Sequence, residues 1–167
     1  DEALAPHGSW TWIAELGWAW VPDDPSFTPY TRGHWAWAEG GPIWVPYEPW
    51  GEVVAHYGRW AHADAGWAWV PGTEWAPAWV EWRETERWVG WAPLPPAGWA
   101  AASASCWIVV PPERVFAPRP ARWRVPAVRP GVLARAQHVG RTARGPRGRK
   151  ARRGPSRTRL ERHGVVV

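Results

Sequence analysis

The chain has 167 residues, enough for one ordinary domain with some length to spare. Nineteen residues are Trp, against three Tyr and two Phe, while 20 Pro and 17 Gly favour short strands and frequent turns over long helices. The net charge of +5 conceals two halves: residues 1–100 hold four arginines against thirteen acids, and residues 101–167 hold sixteen bases against two acids. No stretch approaches the roughly 18 apolar residues that span a bilayer, so no integral membrane segment is expected. The lone Cys106 excludes an intramolecular disulfide and leaves the redox compartment open. The first residue is Asp and not Met, so a processed chain or a fragment is expected.

In chain order, the first hundred residues read as an internal repeat. Gly8, Gly33 and Gly58 are spaced by 25 residues, and each stands two residues before a Trp: Trp10, Trp35 and Trp60. Each unit runs on to a Trp-Val-Pro, at Trp20-Val21-Pro22, Trp44-Val45-Pro46 and Trp69-Val70-Pro71. A shorter unit ends in Trp91-Ala92-Pro93. Inside a unit the period is two: Trp10 and Trp12, then Trp18 and Trp20, share a face of an extended chain, with small residues such as Thr11 and Ala19 between them. Loops such as Ala14-Glu15-Leu16-Gly17 and Ala63-Asp64-Ala65-Gly66 supply the glycine that a hairpin turn needs. Pro42 takes the place of a strand Trp and belongs at a strand entry or edge.

The spacing therefore predicts an all-β fold of three clear β-hairpins and a degenerate fourth over Trp79–Pro93, with a period of about 25 residues. The clear repeats span residues 7–96 of a domain covering 1–117. A meander closed into a small barrel and a hairpin solenoid both fit this pattern. The apolar run Trp107-Ile108-Val109-Val110 is suited to close the sheet.

Leu, Ile and Phe are scarce in this part, so Trp must supply most of the core. A buried indole removes about 150–250 Å² from water, roughly 4–6 kcal/mol at most. The strand rings Trp10, Trp12, Trp18, Trp20, Trp35, Trp37, Trp60, Trp67 and Trp69 are assigned to it. The aromatics near the strand exits (Tyr47, Trp50, Tyr57, Trp75 and Trp79) are the candidate ligand-binding residues, since loops carry function on a repeated scaffold. Rings exposed there would stack on sugars or cage a quaternary ammonium; the alternative is packing of one unit on the next.

The segment 118–167 is rich in Arg, Pro and Gly without a sustained apolar period, and is expected to be a disordered basic tail. Arg141, Arg144, Arg147, Arg149, Lys150, Arg152 and Arg153 would attract a polyanion by counterion release. The alternative is that the tail folds back on the acidic domain. No zinc-finger spacing, RNP motif or G-x-x-G clamp accompanies it, so nucleic-acid binding rests on charge alone.

Catalytic patterns are missing. His56, His62 and Asp64 lack a zinc spacing, and His62 fills the slot held by Trp12 and Trp37. Cys106 has no local base. Ser9, Ser26, Ser103 and Ser105 lie in no nucleophile elbow. Glu81, Arg83, Glu84, Glu86 and Arg87 read as a solvated charged hairpin end. The expectation is a protein that is not an enzyme and holds no cofactor or metal.

The run Gly58-Arg59-Trp60, Gly66-Trp67-Ala68-Trp69-Val70-Pro71-Gly72-Thr73-Glu74-Trp75-Ala76-Pro77-Ala78-Trp79-Val80-Glu81-Trp82-Arg83 and Gly90-Trp91-Ala92-Pro93-Leu94-Pro95-Pro96 resembles an uncharacterised bacterial family of secreted Trp-rich proteins. Its members sometimes carry FecR-like domains, and the likeness covers about residues 7–117. The segment Gly33–Pro46 more distantly resembles exported proteins with W-x-x-G-x-W repeats. Gly17-Trp18, Gly66-Trp67, Gly90-Trp91 and Gly98-Trp99 are similar, by analogy only, to choline-binding cell-wall repeats. The resemblance implies a periplasmic, outer-envelope or secreted location and brings no catalytic residue. It points to a non-enzymatic cell-envelope structural or interaction module with a polyanion-attracting tail. Binding of cell-wall or envelope polysaccharide through exposed aromatics, a protein partner, and nucleic-acid binding through the tail are the alternatives.

Overall fold

A computed structural model of the chain describes residues 2–126, 130–138 and 154–167. Four antiparallel hairpins dominate it: β1 (Gly8–Ile13) with β2 (Gly17–Pro22), β3 (Gly33–Ala38) with β4 (Gly41–Pro46), β5 (Arg59–Ala63) with β6 (Gly66–Val70), and β7 (Val80–Glu84) with β8 (Val89–Pro93). Each sets indoles opposite one another: Trp10 faces Trp20, Trp35 faces Trp44, Trp60 faces Trp69, and Trp82 faces Trp91. The fourth hairpin is regular, with two five-residue strands, rather than degenerate.

The sheets close into neither a barrel nor a run of units stacked in sequence order. The first and third hairpins share one sheet, ordered β1-β2-β6-β5, joined where Trp20 pairs with Trp69. The fourth makes a second sheet with β9 (Ile108–Val110) on one side and β10 (Gln137–His138) on the other. The second hairpin stands alone as a two-stranded ribbon. Pro42, opposite Trp37 near the start of β4, has no N–H for a further ladder. The ribbon is held by its rings: the Trp35 centroid lies 4.5 Å from Trp82 and 5.7 Å, edge on, from Trp91.

The core is built around indole rings, with aliphatic residues such as Leu4, Val80, Val89 and Val110 packed among them. Trp20, Trp35, Trp82 and Trp91 are fully covered, and Trp50, Phe27, Trp60 and Trp44 pack around them. Tilted and edge-to-face contacts at 5.0–5.2 Å link Trp20, Trp50, Phe27 and Trp60. The three spaced glycines serve these rings. A Cβ on Gly8 would stand 2.6 Å from the Trp20 ring, one on Gly33 2.6 Å from Trp44, and one on Gly58 2.7 Å from Trp69. Each indole of a Trp-Val-Pro thus lies over the glycine that opens its own hairpin.

One short helix interrupts the hairpins. α1 (Gly51–His56) follows Trp50 and buries Val54, Ala55 and His56. Beyond β9, the described parts of 118–167 include two short helices, each with a residue packed on the hairpins. α2 (Pro130–Arg135) buries Leu133 beside Trp88, Trp107 and Val109. α3 (Arg157–Arg162) buries Leu160, and Val165 follows it into the main core. Isolated apolar residues with a few specific contacts anchor these segments, which a test for sustained periodicity does not register. Arg141, Arg144, Arg147, Arg149, Lys150, Arg152 and Arg153 lie outside the described residues.

Candidate functional site

The five aromatics singled out near the strand exits do not form one platform. Trp50 caps the start of α1 and is buried against Phe27 and Trp20. Trp79 is also buried; its Nε1 donates to the His56 carbonyl at 2.9 Å, and the Arg59 guanidinium lies 3.3 Å from its ring. Tyr57 is half-buried, and its carbonyl accepts from Trp69 Nε1 at 2.8 Å. Only Trp75, 51% exposed, and Tyr47, 46% exposed, present their rings to solvent, and they do so separately. Trp75 stacks on His56, with centroids 5.5 Å apart. Tyr47 donates its hydroxyl to the Pro118 carbonyl and lies 3.0 Å from His34 Nδ1. Trp50 and Trp79 are removed from the surface because the chain folds back over both.

The exposed ring cluster lies elsewhere, on the first hairpin. Trp10, Trp12 and Trp18 are 40%, 65% and 60% exposed, although their strand positions assign them to the core. Trp12 and Trp18 face each other across the hairpin, with centroids 5.8 Å apart and planes at 80°. Trp10 continues the row toward Trp69, at 6.3 Å. The reason is tertiary. In the second hairpin, Trp37 packs against Phe116. In the third, Trp67 is buried beside His62. Nothing among the described residues covers the outer pair of the first hairpin. The signal was present in the sequence: this hairpin alone has indoles at all four strand positions, where the second has Pro42 and the third has His62.

In the core the polar chemistry is structural. Trp60 Nε1 donates to the Val54 carbonyl and Trp91 Nε1 to the Tyr30 carbonyl, so indole N–H groups tie loops to the core. Buried Tyr30 donates its hydroxyl to the Ala55 carbonyl at 2.9 Å and accepts from the Trp79 backbone N–H at 3.1 Å. Desolvation pushes its phenol well above the usual tyrosine range. His56 is buried with Nδ1 2.9 Å from the Ala76 carbonyl and Nε2 3.3 Å from Glu52.

The charged end of the fourth hairpin is not a free solvated face. Arg159 of α3 reaches Glu84 at 2.7 Å and Glu86 at 3.6 Å and donates to the Thr85 carbonyl. Burial holds the Glu84 carboxyl above the usual carboxylate range despite that guanidinium. Arg83 donates to the Leu133 carbonyl at 2.7 Å. The C-terminal arm is therefore clasped to β7 by its own arginine.

Among the described residues no group of three or more His, Cys, Asp or Glu is placed to hold a metal ion. No helix among them is long and apolar enough to cross a membrane. Cys106 is buried, with Sγ 3.4 Å from Ser103 Oγ. A cleft of about 120 Å³ between the third hairpin and the loop after β8 is lined by Trp60, His62, Trp67, Pro95 and Trp99.

No curated protein and no solved structure matches the chain. The model of a family of unknown function, DUF6600, matches residues 1–98, the span that holds all four hairpins and the exposed indoles of the first. The chain is a member of the DUF6600 family.

Proposed function

We propose that the protein is a non-enzymatic interaction module of the bacterial cell envelope, and that its first hairpin is the contact surface. One observation carries this reading: Trp10, Trp12 and Trp18 are exposed together on one hairpin, whereas Trp20, Trp60 and Trp69 of the same sheet are covered. A contiguous apolar patch of this kind marks an interaction site, and Trp is the side chain most enriched at such sites.

The ligand class that suits the cluster is an envelope glycan. The planes of Trp12 and Trp18 meet at 80°, so one indole offers its flat face beside the edge of the other. A sugar ring has an apolar C–H face for the first and hydroxyls for an indole N–H. The run Arg141–Arg153 adds attraction for anionic envelope polymer through its charge. The likeness to secreted Trp-rich proteins, read from the repeat motifs, supports an extracytoplasmic location.

The test is a fluorescence titration with soluble peptidoglycan fragments and with envelope polysaccharide. Quenching or a spectral shift that is lost in Trp12→Ala and Trp18→Ala, but kept in Trp75→Ala, is expected. No response at millimolar glycan would overturn the glycan assignment. A cytosolic protein in cell fractionation would overturn the envelope assignment.

A further inference from the structure

β1 is an outer strand of its sheet, and among the described residues its other side has no hydrogen-bonded neighbour. Native edge strands are usually blunted by charge, proline or a covering segment. β1 reads Gly8-Ser9-Trp10-Thr11-Trp12-Ile13, with neither charge nor proline. Ser9, Trp10, Thr11 and Trp12 are exposed, so the strand is open on both faces as well as along its edge.

The ladder shows which main-chain groups face outward. Asp23 N–H donates to the His7 carbonyl, and Pro22, opposite Gly8, has no N–H to give. Ladder bonds alternate along an antiparallel pair. The bonds to β2 therefore run through His7, Ser9, Thr11 and Ile13, and the N–H and C=O groups of Gly8, Trp10 and Trp12 point away from the sheet.

We infer that this edge pairs with β1 of a second copy of the chain, antiparallel, about a two-fold axis through Thr11. In that register Trp10 of each copy lies opposite Trp12 of the other, and the outward groups of both residues exchange hydrogen bonds. Trp-on-Trp opposition is the pairing the chain builds in all four hairpins. The same register sets His7 of one copy level with Glu15 of the other, which are of complementary charge when the imidazole is protonated. An arbitrary extended peptide would satisfy the backbone but neither of these pairings. The product is an eight-stranded sheet in which the exposed Trp18 and Trp12 of one copy run on to the exposed Trp10 and the buried Trp20 of the second, with a symmetric row beside it. The contact uses the strand edge and leaves the ring faces open, so it does not rest on glycan binding.

The axis residue provides the test. Thr11 is exposed and stands on the face opposite the indoles, where two copies would meet directly. Light scattering or sedimentation across a concentration series is expected to show a dimer for the native chain. Thr11→Lys and Thr11→Glu each set like charges across the axis and should weaken self-association roughly tenfold. Mixing the two variants should restore a heterodimer, which a misfolded variant would not do. A native chain monomeric at hundreds of micromolar would overturn the inference, as would Lys and Glu variants that dimerise like the native chain. Glycan quenching retained by monomeric Thr11→Lys would leave the functional reading standing whichever way the association experiment falls.

Discussion

Tyr30→Phe removes one oxygen atom and should cost more than its size suggests. The residue sits at φ +58°, a left-handed conformation that a non-glycine side chain adopts only when its surroundings hold it there. Its hydroxyl bridges the Ala55 carbonyl and the Trp79 N–H, tying α1 to the entry of β7, and its carbonyl receives Trp91 Nε1. Phe fills the same space but leaves a buried donor and a buried acceptor without this partner. At about 1–2 kcal/mol for each of the two orphaned groups, a loss of about 2–4 kcal/mol is expected. Urea unfolding at constant slope reads this directly, and the melting temperature should fall by roughly 5–12 °C. A second arm uses pH. Because burial raises the folded-state phenol pKa, the folded chain keeps a proton that the unfolded chain releases near pH 10. Native stability should therefore fall as pH rises past about 10, and the Phe variant should lose that part of the slope. A Tyr30→Phe midpoint within about 0.5 kcal/mol of native, at unchanged slope, would refute the bridge.

Gly33→Ala should destabilise by about 1–3 kcal/mol in chemical denaturation, because its Cβ would stand 2.4 Å from the Val45 carbonyl oxygen and 2.6 Å from the Trp44 ring. Gly131→Ala, in α2 with open space around it, should be neutral or slightly stabilising. Arg159→Met should release the C-terminal arm, seen as faster amide exchange over 154–167, at a cost of about 1–3 kcal/mol for the partly buried partner left behind. Adding Glu84→Gln should recover part of that loss. The Asp24 carboxyl, held by Ser26 and then by Arg32, has its pKa lowered to about 2. Its contribution is present above the unfolded carboxylate value and lost as pH falls toward about 2, which an NMR titration of its side chain follows.

The hairpins were legible because alternate Trp positions, a glycine turn and a closing Trp-Val-Pro are local signals. The pairings Trp10–Trp20, Trp35–Trp44 and Trp60–Trp69 follow from them. α1 was not legible, since six residues are too few for a helical period to show. Strand position also names a face without saying whether anything covers it. Trp20 and Trp12 share a strand face, but β6 and the Trp50 loop close over the first while the second lies on an outer strand. Trp50 and Trp79 show the converse: a loop position suggests exposure, yet both rings are buried. The described segments 130–138 and 154–167 are held by Leu133, Leu160 and Arg159, isolated contacts to distant hairpins that no local pattern displays.

Residue-resolved oxidation of the tryptophans, read by mass spectrometry with and without soluble peptidoglycan fragments, tests the central claim most directly. Without glycan, Trp10, Trp12, Trp18, Trp75 and Trp123 should react first, while Trp20, Trp35, Trp82 and Trp91 stay protected. With glycan, Trp12 and Trp18 should become protected while Trp75 and Trp123 remain reactive. Equal reactivity of Trp12 and Trp35 in the free protein, or glycan protection confined to Trp75, would contradict the assignment of the first hairpin as the contact surface.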